Sequence, residues 1–104
     1  MSYAVKILTP AEADTVEAAL WYDAQLPELG AEFMTEVNAA AHRLVNSPEI
    51  HRIRFADVRR APVKRFKFYG LFYLVRDAEV WVIAVHHGRR HPRWLHERRR
   101  KLGE

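Results

Sequence analysis

The chain has 104 residues, 49% of them hydrophobic, with 17 Lys and Arg, 13 Asp and Glu, and no cysteine. One domain over residues 1–104 is expected, long enough to bury a core without staples. Disulfides and thiolate metal sites are excluded. No apolar run approaches the ~20 residues of a membrane helix, and the first ten residues lack a signal peptide's layout, so a cytoplasmic protein is expected.

The net charge of +4 hides a division. Residues 1–50 carry two basic and eight acidic side chains, a balance of −6, while residues 51–104 carry 15 basic and five acidic ones, a balance of +10. The second half can attract nucleic acid or an acidic protein segment, and the first stays solvated and acidic.

Tyr3 to Leu8 is rich in Val and Ile and reads as a short strand. Thr9 then predicts a helix start, with Pro10 in the first turn and Glu12 completing a T-x-x-E capping box. Val16, Ala19, Leu20 and Asp23 lie on neighbouring faces of this helix, with Trp21 and Tyr22 widening the stripe and Trp21 expected to anchor a helical hairpin to the core. Pro27 ends it. From Leu29 or Gly30 a second helix is predicted, since Leu29, Phe33, Val37, Ala40, Ala41, Leu44 and Val45 recur at spacings of three and four. Ser47-Pro48 stops it, and Glu28, Glu32 and Glu36 make an acidic outer face.

Glu49 to Ala56 reads as an irregular connection, followed by three strands. Val58 to Phe66 contains Pro62, which suggests an edge position or a bulge. In Phe68 to Arg76, the side chains of Phe68, Phe72 and Leu74 share one face and those of Tyr69, Leu71, Tyr73 and Val75 the other. Val80 to His86 is apolar on both faces and is expected to be central. Residues 88–104 form a basic tail, in which Pro92 to Leu102 can make a helical turn or two with Trp94 and Leu95 packing back. The expected fold is α+β: an N-terminal strand, a helical hairpin and a three-stranded antiparallel meander in one small sheet, with helices on one face.

This order and its local motifs resemble the RelE/ParE superfamily of bacterial toxins. The matching pieces are Leu8-Thr9-Pro10-Ala11-Glu12-Ala13, Trp21-Tyr22, Leu29-Gly30-x-x-Phe33, Ser47-Pro48, Arg59-Arg60, Val63-x-Arg65-Phe66, Tyr69-x-x-x-Tyr73, and Ile83-Ala84-Val85-x-His87-x-Arg89-Arg90-x-Pro92-x-x-Leu95. The resemblance implies a small basic toxin of a type II pair, neutralised by an antitoxin that wraps around it in a hetero-oligomer. Two modes of action are implied within the superfamily: RelE-like cleavage of mRNA on the ribosome, and ParE-like inhibition of DNA gyrase by binding, with growth inhibition and plasmid stabilisation as consequences. RelE-type nucleases place an arginine directly after the tyrosine of the middle strand; here that position is Gly70, which has no side chain to stabilise charge. Leu29-Gly30 and His87-x-Arg89-Arg90-x-Pro92 look closer to the ParE-like branch, and no cofactor is implied.

RNA cleavage by 2′-OH attack needs a base, an acid and cations beside the phosphate. The residues on offer for an mRNA endonuclease are Arg65, His87 and Arg90, while strand alternation sends His86 and His87 to opposite faces. His86, His87, His91 and His96 do not read as a metal site, because neighbouring arginines repel a cation. Arg59, Arg60, Lys64 and Arg65 read as an antitoxin-docking edge, or as a charged edge strand that resists pairing with other chains. Arg89, Arg90 and Arg93 extend this binding surface, with Trp94 as a partner-facing anchor or as closure of the tail onto the sheet. The run Arg98-Arg99-Arg100-Lys101 reads as a solvated basic terminus.

Overall fold

The computed structural model describes residues 2–88 and 92–103. The elements run β1 (Ala4–Ile7), α1 (Thr9–Gln25), α2 (Leu29–Arg43), a 3₁₀ turn (Pro48–Ile50), β2 (Ile53–Phe55), β3 (Val58–Pro62), β4 (Tyr69–Arg76), β5 (Glu79–His87) and α3 (Arg93–Lys101). They form a five-stranded sheet in the order β1-β5-β4-β3-β2. β2 to β5 are an antiparallel meander, and β1 lies parallel to β5.

The expected α+β class holds, with particular corrections. The segment read as irregular contains the 3₁₀ turn and the strand β2. β2 pairs with β3, so Arg59 and Arg60 lie on an interior strand and the edge is β2 itself. Pro62, which lacks a donor, closes β3 as its last residue. The tail carries a nine-residue helix. The T-x-x-E capping box does not form. Thr9 is already helical, and the Leu8 carbonyl accepts from the Ala11 and Glu12 N–H groups at 2.9 and 3.0 Å, because the chain leaves β1 in extended conformation at Leu8.

Two apolar layers sandwich the sheet. On one face α1 and α2 pack Ala11, Ala18, Phe33, Val37, Ala40 and Leu44 onto Leu71, Tyr73, Val80, Val82 and Val85. On the other, Leu95 of α3 closes a smaller cluster with Val58, Phe72, Leu74, Ile83 and Ala84. β4 alternates as its sequence predicts. β5 does not, because Phe72 pairs with Ala84 while Tyr73 pairs with Val82, which leaves Ile83 as an extra residue. This bulge is why Val82 and Val85, of opposite parity, face the same layer.

Trp21 does not anchor the hairpin; it is 57% exposed, with Val16 and Leu20 also exposed. The helices meet too closely for a large side chain: a Cβ on Gly30 would lie 2.3 Å from the Ala19 carbonyl oxygen. Small residues therefore make the contact. Tyr22 carries the aromatic packing, with ring centroids 5.2 Å from Phe33 and 4.8 Å from Phe66.

Candidate functional site

β1 pairs with β5 only as far as Val82, so beyond that point the β5 edge has no strand beside it. Side chains take over its polar groups, as buried backbone requires. The Val85 N–H donates to Asp14 Oδ2 at 3.0 Å, and Arg98 Nη1 of α3 donates to the Ile83 carbonyl at 3.1 Å. Arg98 also grips both oxygens of Asp14, at 2.6 and 3.3 Å, and His86 Nε2 lies 3.0 Å from Asp14 Oδ1. Burial opposes ionisation of Asp14, but the hydrogen bonds from His86, Arg98 and Val85 outweigh it, and its pKa lies below the ordinary carboxylate value. The Trp94 ring rests on His86 with centroids 3.7 Å apart. A second carboxylate, Asp57 in the β2–β3 turn, binds Arg99 at 2.8 and 2.9 Å and Arg76 at 2.7 Å. Arg99 and Arg76 hold its carboxyl well below the usual range against a burial penalty. Asp14 and Asp57 thus clasp α3 to the sheet from two sides.

Between α3 and the sheet lies a cleft of about 540 Å³. Arg52 and Arg54 of the β2 segment, Arg60 of β3, and His86 and His87 of β5 line it, with His96 and Trp94 on the α3 wall and no carboxylate among its described lining residues. Phe55 and His96 stack at 3.9 Å along one side. Arg60 lies directly over Gly70: a Cβ there would fall 2.5 Å from Arg60 Nε. Its guanidinium donates to the Phe68 carbonyl at 3.3 Å. Burial, and then the neighbouring charge of Arg54, lowers the Arg60 pKa. The glycine that removes a side chain from β4 thereby admits a guanidinium from β3. Like charges held together, with no carboxylate among the described lining residues, make a surface suited to an anion.

The residues singled out by sequence separate in space. Arg59 is a strap, donating to the Glu49 and His51 carbonyls at 3.2 and 2.6 Å. Arg60 enters the cleft. Lys64 borders a different hollow beside the end of α2, with His42 and Arg43. Arg65, in left-handed conformation, pairs with Glu32 of α2 at 2.7 Å. His87 stacks on Phe68 and meets Tyr69 edge-on, with centroids 5.4 Å away in both cases. Arg93 is exposed at the start of α3, whereas Trp94 is half-buried against the sheet. Arg89 and Arg90 lie outside the described residues. Of Arg65 and His87, the described residues of the nuclease set, His87 lines the clefts at the end of β5 and Arg65 does not.

Sequence reasoning missed Arg52, Arg54, Asp14, Asp57 and Arg98. A signal existed for two groups. Arg52 and Arg54 alternate with Ile53 and Phe55 before a turn, which is the period of a strand. Asp14 falls three residues after Ala11 and four before Ala18, an acid on the apolar stripe of a helix.

None of the curated proteins matches this chain. Among solved structures, it is similar to a chain of the chromosomal ParDE toxin–antitoxin system from P. aeruginosa, with TM-score 0.71 and 16% identity over 82% of this chain and 95% of that one. It is also similar to an arginine-to-alanine double mutant of the E. coli toxin RelE in the free state, with TM-score 0.69 and 19% identity over 96% and 98% of the two chains. At these identities the likeness speaks for the fold alone. The sequence itself matches the family described as ParE toxin of the type II toxin–antitoxin system parDE over residues 5–92, and so the chain belongs to the ParE toxin family.

Proposed function

We propose that this toxin acts as ParE-like members do, inhibiting DNA gyrase by binding rather than by cutting a nucleic acid, and that it works in the cytoplasm. The observation that supports binding is the separation of Arg65 from His87 within the nuclease set. Arg65 is turned to Glu32 on α2 while His87 lines the cleft at the end of β5, and the neighbouring His86 is buried at 5% exposure between Asp14 and Trp94. A general base must reach the proton it removes. The cognate antitoxin is read as a protein with an acidic segment, drawn to the surface formed by Arg52, Arg54, Arg60, Arg93 and, by sequence, Arg89 and Arg90. Its affinity for the toxin is expected to fall as salt rises.

A specific observation favours a second reading. The Arg52–Arg54–Arg60 cleft beside His86 and His87 has the charge to hold an RNA phosphate, which a ribosome-dependent mRNA endonuclease requires. Gyrase supercoiling assays run beside a translating-ribosome cleavage assay separate the two. Trapped gyrase–DNA cleavage complexes or lost supercoiling, with intact mRNA, are expected. Codon-phased mRNA cuts, abolished by Arg60→Gln, would overturn the gyrase reading.

A further inference from the structure

α1 is apolar on two opposite faces. Ala11, Thr15, Ala18 and Tyr22 turn inward, while Ala13, Val16, Leu20 and Ala24 recur at the same three-and-four spacing on the outside. Val16 is 49% and Leu20 65% exposed. A helix with two apolar stripes is expected to be covered on both, since a solvent-facing side is ordinarily polar. Acids flank the outer stripe, with Glu12 and Asp23 along one border and Glu17 along the other. That rim repels an acidic segment and selects a basic one.

The chain itself carries the complementary surface. A groove of about 1010 Å³ runs between Pro10, at the start of α1, and α3. Trp94 and Leu102 line its apolar part, and Arg93, Arg98 and Lys101 its basic part. Glu97 is the sole acid among its described lining residues, and it is paired with Arg100. Pro10, which lines the groove, lies at the start of the helix that carries the stripe.

We propose that these two surfaces form an interface between two copies of the chain, each placing the Val16–Leu20 stripe of α1 in the α1–α3 groove of the other. The contact is self-complementary, so a two-fold arrangement closes it without leaving a free end. It joins the acidic first half of one copy to the basic second half of the other, and it leaves the Arg52–Arg54–Arg60 cleft uncovered at its β2 side.

Sedimentation velocity of the free chain over about 1–300 µM tests this. A concentration-dependent dimer is expected, weaker in high salt. Leu20→Glu replaces an exposed side chain, so the fold persists, as a circular dichroism melt checks; its dimer dissociation constant is expected to rise about tenfold or more. Lys101→Glu is expected to weaken the dimer about threefold, and Glu17→Lys with Lys101→Glu to restore it. A chain that stays monomeric throughout, or a dimer indifferent to Leu20→Glu, overturns the proposal. Lack of rescue by the exchanged pair overturns the pairing of stripe with groove.

Discussion

Replacing Asp14 by Asn leaves the shape of the side chain and removes its charge. The parent carboxylate is 8% exposed, accepts from the Val85 N–H and from both Nη atoms of Arg98, and lies 3.0 Å from His86 Nε2. An amide keeps one acceptor, so one of the two Arg98 contacts is lost and a cation only 25% exposed remains without its counter-charge. Losing charge-assisted hydrogen bonds at a partly buried site costs roughly 2–3 kcal/mol, which is a fall of about 10–15 °C in Tm for a chain of this size. The pH dependence follows from the depressed pKa of Asp14. Folding favours its ionised form, so the contribution is complete above the unfolded carboxylate value of ~3.9 and is lost as pH falls through the folded value. Urea titrations from neutral pH to about pH 2 are the assay. Asp14→Asn is expected to be less stable at pH 7 and to show a shallower loss of stability in acid, the remainder coming from Asp57. A variant within about 0.5 kcal/mol of the parent at pH 7 would refute the account of α3 as clasped through Asp14, as would an unchanged acid slope.

Gly30→Ala drives a methyl into the Ala19 carbonyl at 2.3 Å, and a loss of about 2 kcal/mol or more in denaturant titration is expected because neither helix backbone can yield locally. Tyr73→Phe removes the hydrogen bond that the buried hydroxyl donates to the Pro48 carbonyl at 2.5 Å, costing about 1–1.5 kcal/mol. Burial pushes the Tyr73 pKa up to about 12, against the lowering charge of Arg59. The parent therefore loses stability as pH rises from the unfolded value of ~10 to the folded one, and Tyr73→Phe should flatten that alkaline slope. Gly70→Ala places a carbon 2.5 Å from Arg60 Nε; the long side chain can swing away, so stability should fall only about 1 kcal/mol. Heparin-column elution should then move to lower salt as the cleft loses its central cation. Unchanged elution would show that Arg60 does not supply the anion-holding charge.

Much of the architecture lies in local patterns that a reader of the chain can follow. The α2 stripe from Phe33 to Leu44 repeats every three or four residues and is the stripe that is buried. β4 alternates, and its two parities face the two layers. These signals are legible because each depends on neighbours within a few positions, where backbone geometry alone sets which side chains share a face. α1 misled because it bears two apolar stripes. The choice of Ala18 and Ala19 over Val16, Leu20 and Trp21 came from the close approach of Gly30, a partner eleven residues along the chain from Ala19.

The candidate site was legible only as charge. Composition and the −6 to +10 division placed a cationic surface in the second half, and Arg60 was rightly located on the strand that reaches the cleft. Which arginines remain turned toward that cleft was a tertiary decision. Arg59 was taken up by two carbonyls, Arg65 by Glu32, Arg98 by Asp14 and Arg99 by Asp57. Asp14 and Arg98 stand 84 residues apart, and they meet only because β1 ends early and exposes the edge of β5 that both complete. A guanidinium carries the same charge wherever it lies in the sequence. What separates a structural strap from a binding group is the acceptor that folding places within reach, and that distance is set by the packing of the layers.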